Sequence, residues 1–106
     1  MNELSNQVAL VTGASRGAGR GIAAVLGEAG ATVYVTGRSR RGLGTTENLP
    51  GTIEETADLV TARGGKGIAV YCDHSSEEDI RHLIDHIEAE SGRLDVLVNN
   101  KGYYDL

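Results

Sequence analysis

Thr12-Gly13-Ala14-Ser15-Arg16-Gly17-Ala18-Gly19 decides the fold because of what stands on either side of it. Before it, Val8 to Val11 is a continuous apolar run with no alternation, the pattern of a strand buried on both faces of a parallel sheet. After it, Ile22, Val25, Leu26 and Ala29 recur at the i, i+3, i+4, i+7 spacing of one helical face, and Gly30 supplies the stop. Glycines at a strand-to-helix junction let the backbone turn tightly and approach a ligand closely. The helix that follows offers unpaired N–H groups and the positive end of its dipole, which suits a diphosphate. A P-loop is excluded, because no Gly-Lys-Ser or Gly-Lys-Thr follows the glycines. A Gly-x-Gly-x-x-Ala spacing does occur at Gly19, Gly21 and Ala24. It falls inside the helix, about two turns beyond the strand end, where it could cradle nothing, and is read as chance.

Outward from this junction the chain alternates. Thr32 to Thr36 is β-branched and aromatic, a second strand, followed by Gly37-Arg38 and a long irregular loop from Arg38 to Gly51. That loop is long for an α/β connection and therefore reads as functional or mobile. Thr52 with Glu55 three residues later forms a capping box, opening a helix through Ile53, Ala57 and Val60 that ends at Gly64-Gly65. Gly67 to Cys72 makes a third strand. Ser75 with Glu78 repeats the capping box, and Ile80, Leu83, Ile84 and Ile87 form the stripe of a third helix closed by Gly92. Leu94 to Val98 makes a fourth strand. Strict alternation implies parallel strands joined by right-handed crossovers, a doubly wound, Rossmann-type α/β fold of about four strands with three helices. The expected strand order is 3-2-1-4, which puts the switch point between strands one and four. Gly13, Gly37, Asp73 and Asn100 then all follow carboxyl ends of strands and face one rim.

Composition narrows the class further. The 106 residues include 15 Gly, 1 Pro and 1 Cys, with 40% hydrophobic and 24% charged, so the chain is one packed globular domain at most. The longest apolar runs are five residues, Ile22 to Leu26 and Ile68 to Cys72, far short of a membrane span. Met1 to Gln7 lacks a basic segment followed by an apolar one, so a cytoplasmic protein is expected. The lone Cys72 cannot form an internal disulfide. Net charge is -5, split +2 over residues 1–50 and -7 over residues 51–106. Overall acidity argues against nucleic acid on a broad basic face, while Arg16, Arg38, Arg40 and Arg41 favour a local anion site.

The Thr-Gly-x-x-x-Gly-x-Gly spacing resembles the cofactor fingerprint of the short-chain dehydrogenase/reductase family. Val96-Leu97-Val98-Asn99-Asn100-Lys101-Gly102 resembles that family's Asn-Asn-Ala-Gly motif, and Cys72-Asp73 its acid at the end of strand three. The resemblance runs from Val8 to about Gly102. It implies that Gly13, Ser15, Arg16, Gly17 and Gly19 border the phosphates and adenosine ribose, that Asp73 and His74 flank the adenine, and that Asn100 lies by the ribose. Lys101 stands where the family carries Ala, a departure that bears on the ribose side.

Charge argues the choice of cofactor. An NAD site needs an Asp or Glu about 20 residues beyond the glycines, whereas a 2'-phosphate needs guanidinium groups. The end of strand two reads Gly37-Arg38-Ser39-Arg40-Arg41, and the first acid after it is Glu47. Arg38 with Arg16 is expected to clamp the 2'-phosphate, the family placing NADP-preferring arginines at these two positions. NADP is therefore the expected cofactor. Arg40 and Arg41 read as solvated loop charges.

The resemblance also implies a Tyr, a Lys four residues later and a Ser for hydride transfer to a small carbonyl or from an alcohol. Here Tyr34 is followed at that distance by Arg38 and Tyr71 by Ser75, and the partner of Tyr103 would lie beyond Leu106. Residues 1–106 are thus expected to be a partial NAD(P)-binding domain, the truncated first half of an NADP-dependent oxidoreductase, inactive alone. The alternative is an inert nucleotide-binding or assembly module. The apolar Val-Leu-Val of strand four is expected at a sheet edge, favouring self-association as a homo-oligomer or incomplete folding. His82 and His86 read as exposed helix residues rather than metal ligands, Cys72 as a small buried filler, and Tyr103 and Tyr104 as tail.

Overall fold

The computed structural model describes residues 3–15, 17–38 and 51–100. Seven elements follow in strict alternation: β1 (Val8–Val11), α1 (Gly17–Glu28), β2 (Thr32–Gly37), α2 (Ile53–Ala62), β3 (Lys66–Tyr71), α3 (Glu77–Ser91) and β4 (Val96–Val98). The four strands form one sheet in the order β3-β2-β1-β4. Every pairing is parallel, Val8 lying opposite Thr32, Ala9 opposite Val96 and Thr32 opposite Lys66. The expected doubly wound arrangement and strand order are those observed. The stretch 39–50, with Arg40 and Arg41, lies outside the described residues, as do Arg16, Lys101, Gly102, Tyr103 and Tyr104.

Side chains on a strand alternate between faces, and the core divides accordingly. Ala9, Val11, Val33 and Val35 face α1 and α2 and pack on Ala23, Ile53, Ala57 and Val60. Val8, Leu10 and Tyr34 face the other way and pack with Cys72 against Leu83 and Ile87 of α3. All four residues of β1 are buried, because helices cover both of its faces. Tyr34 is fully buried, yet its hydroxyl lies 2.7 Å from both Glu90 Oε1 and Ser91 Oγ at the end of α3. His86 packs edge-on against the Tyr34 ring and sits 3.3 Å from Glu90 through Nε2. Burial pushes the Tyr34 phenol above its ordinary value.

Three local expectations are corrected. Of the expected face of α1, Leu26 does pack against the core, partly buried, but Ile22 and Val25 do not. Val25 is 64% exposed and Ile22 is also exposed, while Gly19, Ala23, Ala24 and Gly27 are buried. Small residues win because α2 comes very close: a Cβ on Gly27 would lie 2.8 Å from Val60 Cγ1. The stripe of α3 is half right, since Leu83 and Ile87 are buried whereas Ile84 is 45% exposed and Ile80 is exposed as well. The cap of α3 is Ser76, whose side chain accepts from the Asp79 amide, and not Ser75. Ser75 is otherwise engaged, donating its amide and hydroxyl to Asp73 Oδ1 at 3.0 and 2.7 Å. The capping box of α2 is present as expected, Thr52 and Glu55 bonding each other's amides at 3.1 and 3.2 Å.

Candidate functional site

Parallel strands put every carboxyl end on the same rim, so the segments after β1, β2, β3 and β4 converge there. The segment after β1 is the glycine loop. Gly13 and Gly17 take φ of +61° and +64°, left-handed values that a residue with a Cβ adopts only at a cost. Among the described residues an added Cβ at Gly17 would meet nothing within 4 Å. Gly17 begins α1, whose first turn carries no acid and whose leading N–H groups lack intrahelical partners. Gly19 is different. A Cβ on it would collide with the Gly13 carbonyl oxygen and come within 2.7 Å of Asn100 Nδ2.

Hydrogen bonds tie this loop to its neighbours on both sides. The Thr12 hydroxyl accepts from the Asn100 amide at 2.7 Å and donates to Asn99 Oδ1 at 3.1 Å. Asn100 Nδ2 in turn donates to the Gly13 carbonyl at 3.3 Å. Toward β2, the Ala14 amide donates to the Thr36 carbonyl at 3.0 Å. Ser15 is buried beside Gly37, where an added Cβ would reach Ser15 Oγ at 3.9 Å.

At the end of β2, Arg38 is exposed, and no carboxylate stands beside it in the chain. It lies near enough to Asp73, across the rim, to act on that carboxyl. The Ser75 hydroxyl and amide hold the Asp73 carboxyl below the usual carboxylate range, and Arg38 and then His74 add smaller electrostatic pulls in the same direction. His74 Nε2 lies 2.9 Å from the hydroxyl of Thr36, which is fully buried. The Asp73 amide donates to Asp79 Oδ2 at 3.0 Å, fixing the β3–α3 turn. Cys72 is buried and its thiol is pushed up to about 11, chiefly by that burial.

Of the residues singled out from sequence, Gly13, Ser15, Gly17, Gly19, Arg38, Asp73, His74 and Asn100 therefore belong to one rim, and Arg16 lies outside the described residues. Sequence reasoning quoted Thr12 in the glycine motif without giving its hydroxyl a role and missed Thr36 and Thr56; all three are buried. The available signal was a hydroxyl at the end of an otherwise apolar strand, as at Thr12 and Thr36. Among the described residues no group of three or more His, Cys, Asp or Glu could hold a metal ion, and no helix is long and apolar enough to cross a membrane.

Residues 7–106 match the sequence profile of a family described as short chain dehydrogenase. The mouse (Mus musculus) dehydrogenase/reductase SDR family member 1 is 46% identical over 98 residues, covering 92% of this chain and 28% of that protein. Glucose 1-dehydrogenase 2 of Bacillus subtilis is 36% identical over 101 residues, covering 95% of this chain and 36% of that protein. Among solved structures, a metagenomic short-chain oxidoreductase in complex with NADP superimposes with a TM-score of 0.79 at 40% identity. The match covers 95% of this chain and 41% of that one. The chain thus spans well under half the length of each of these relatives.

Proposed function

The chain belongs to the short chain dehydrogenase family, and from that premise we propose that residues 1–106 form the partial dinucleotide-binding domain of an NADP-dependent oxidoreductase. The observation that carries this reading is the pairing on one rim of an acid-free helix start at Gly17 with a cation, Arg38, at the end of the adjacent strand. Backbone amides at a helix N-terminus complement a diphosphate, and a guanidinium complements a 2'-phosphate where a carboxylate would instead bond a 2'-hydroxyl.

In this reading Gly13, Ser15, Arg16, Gly17 and Gly19 hold the diphosphate and adenosine ribose. Arg38, together with Arg16, holds the 2'-phosphate, Asp73 and His74 flank the adenine, and Asn100 lies by the ribose. When bound, the nicotinamide supplies or accepts the hydride exchanged with a carbonyl or alcohol in the longer protein. The depressed carboxyl of Asp73 remains charged at neutral pH, ready to accept a hydrogen bond.

A second reading is favoured by the tyrosines: this chain by itself binds nucleotide without turning it over. Tyr34 is fully buried with its hydroxyl engaged by Glu90 and Ser91, and the residue four positions on is Arg38 rather than Lys. Self-association and a cytoplasmic location remain part of the proposal. β4 ends the sheet order, and Leu97 on it is 60% exposed. Sedimentation giving a monodisperse monomer that melts cooperatively would count against self-association.

The test of function is fluorescence titration of the chain with NADPH and NADH, repeated for Arg38→Asp. NADPH is expected to bind the more tightly, and the substitution to weaken NADPH by about tenfold or more while NADH changes little. Equal losses for the two nucleotides would refute the 2'-phosphate contact.

A further inference from the structure

We infer that Thr56 is a positioning residue of the dinucleotide site, its buried hydroxyl holding the glycine loop in the shape that leaves the loop's amides free for a diphosphate. The inference rests on the proposed nucleotide site and goes beyond it by giving a role to α2, which contributes no residue to the glycine loop.

Thr56 is fully buried in the second turn of α2. A threonine inside a helix ordinarily returns its hydroxyl to the carbonyl four residues back. Here that bond, to Thr52, is a weak 3.4 Å, and the hydroxyl donates instead to the Ala14 carbonyl at 2.6 Å. Ala14 lies 42 residues away in the chain and in the middle of the glycine loop. Its amide is simultaneously donated to the Thr36 carbonyl at 3.0 Å, so both polar groups of Ala14 are committed within the protein.

The chemical consequence is a matter of sign. A loop that receives a diphosphate must keep its carbonyl oxygens from turning their negative ends toward it. The Gly13 oxygen is held by Asn100 and the Ala14 oxygen by Thr56, so both carbonyls are committed within the protein rather than turned on an anion at the helix start. α2 can bear this load because it cannot retreat. Its start is locked by the Thr52–Glu55 capping box, and Val60 sits directly on Gly27 of α1.

The test compares Thr56→Val, which keeps the shape and deletes the donor, with Thr56→Ser, which keeps the donor. Two probes are titrated: NADPH, and adenosine 2'-monophosphate, which lacks the diphosphate. Thr56→Val should weaken NADPH about tenfold and adenosine 2'-monophosphate distinctly less, since that probe keeps Arg38 and meets the loop only through its ribose and Arg16, as expected when one well-formed hydrogen bond sets the loop. Thr56→Ser should restore NADPH binding. Without nucleotide, amide exchange across residues 14–19 should rise in Thr56→Val and not in Thr56→Ser, with exchange in β1 unmoved. Should the valine variant not fold, Thr56→Ala carries the same comparison. Equal weakening of both probes, or unchanged NADPH affinity in the donor-less variant, overturns the role of Thr56 while leaving the nucleotide site standing. A wild-type chain that binds neither probe overturns the site and this role together.

Discussion

Replacing Gly19 by alanine should destabilise the chain, whereas the same replacement at Gly21, two positions along the same helix, should stabilise it. At Gly21 an added Cβ meets no atom of the described residues within 4 Å. The substitution there gains the helix preference of alanine over glycine, about 0.5–1 kcal/mol. At Gly19 the same gain is opposed by a Cβ that collides with the Gly13 carbonyl and lies 2.7 Å from Asn100 Nδ2 and 3.1 Å from Ala14 Cα. Two of these atoms are backbone, and the third, the side-chain end of Asn100, is held in place because Asn100 is itself bonded to Gly13 and, through its amide, to Thr12. Overpacking of this kind costs about 1–3 kcal/mol. Loss of the Asn100–Gly13 bond adds about 0.5–1.5 kcal/mol. The net loss at Gly19 is about 0.5–4 kcal/mol once the helix gain is subtracted. For a domain of this size each kcal/mol moves the melting midpoint by about 4–8 °C. Thermal unfolding followed by circular dichroism should therefore show Gly19→Ala about 2 °C or more below the wild type and Gly21→Ala about 2–8 °C above it. A Gly19→Ala chain that melts at or above Gly21→Ala would refute the close approach of α1, the glycine loop and the residues after β4.

Other outcomes follow from the same contacts. Tyr34→Phe should lose about 0.5–1.5 kcal/mol in urea unfolding, because the buried hydroxyl bonds both Glu90 and Ser91; unchanged stability would remove it as the anchor of α3. Asp95 accepts from Arg93 Nε and Nη2 at 2.9 and 2.8 Å and from the Val8 amide at 2.8 Å, and Arg93 first, then Val8, hold its carboxyl below the ordinary range. A depressed folded pKa stabilises above the unfolded value of about 3.9 and loses that contribution as pH falls through the folded one. Asp95→Asn should accordingly flatten the acid limb of a stability–pH profile, and an unaltered limb would contradict the assignment. Cys72, with its thiol pushed up to about 11 by burial and then by Asp79 and Asp73, should resist a thiol-specific disulfide reagent at pH 8 until the chain is unfolded. Rapid labelling of the native chain would show that the end of β3 is open.

The order of elements and the strand order were legible because they depend on apolar runs and glycine stops, which a sequence displays directly. The faces of the helices were less so. Hydrophobicity ranks Val25 above Gly27, yet Gly27 is buried and Val25 exposed, since the distance between α1 and α2 admits a glycine and not a larger side chain. Ser75 and Ser76 present the same chemistry to a reader of sequence. Only the bond from Ser75 to Asp73 decides that Ser76 caps α3. In the candidate site, the glycine loop and the strand ends could be read from spacing alone. The hydroxyls that fix them could not, because Thr36 reads as a β-branched strand residue and Thr56 as an ordinary helical one. Their partners, His74 and Ala14, are distant in sequence and meet them only through the β2–β3 register and the packing of α2.

The most direct measurement is a map of backbone amide chemical shifts as NADPH is added to the isotopically labelled chain. The largest changes are expected at Gly13 to Gly19, at Arg38, at Asp73 and His74, and at Asn100, with the amino ends of the strands, around Val8, Thr32 and Lys66, left unmoved. Saturable shifts confined to those amino ends, or none at all in a folded sample, would contradict a dinucleotide seat on the carboxyl rim.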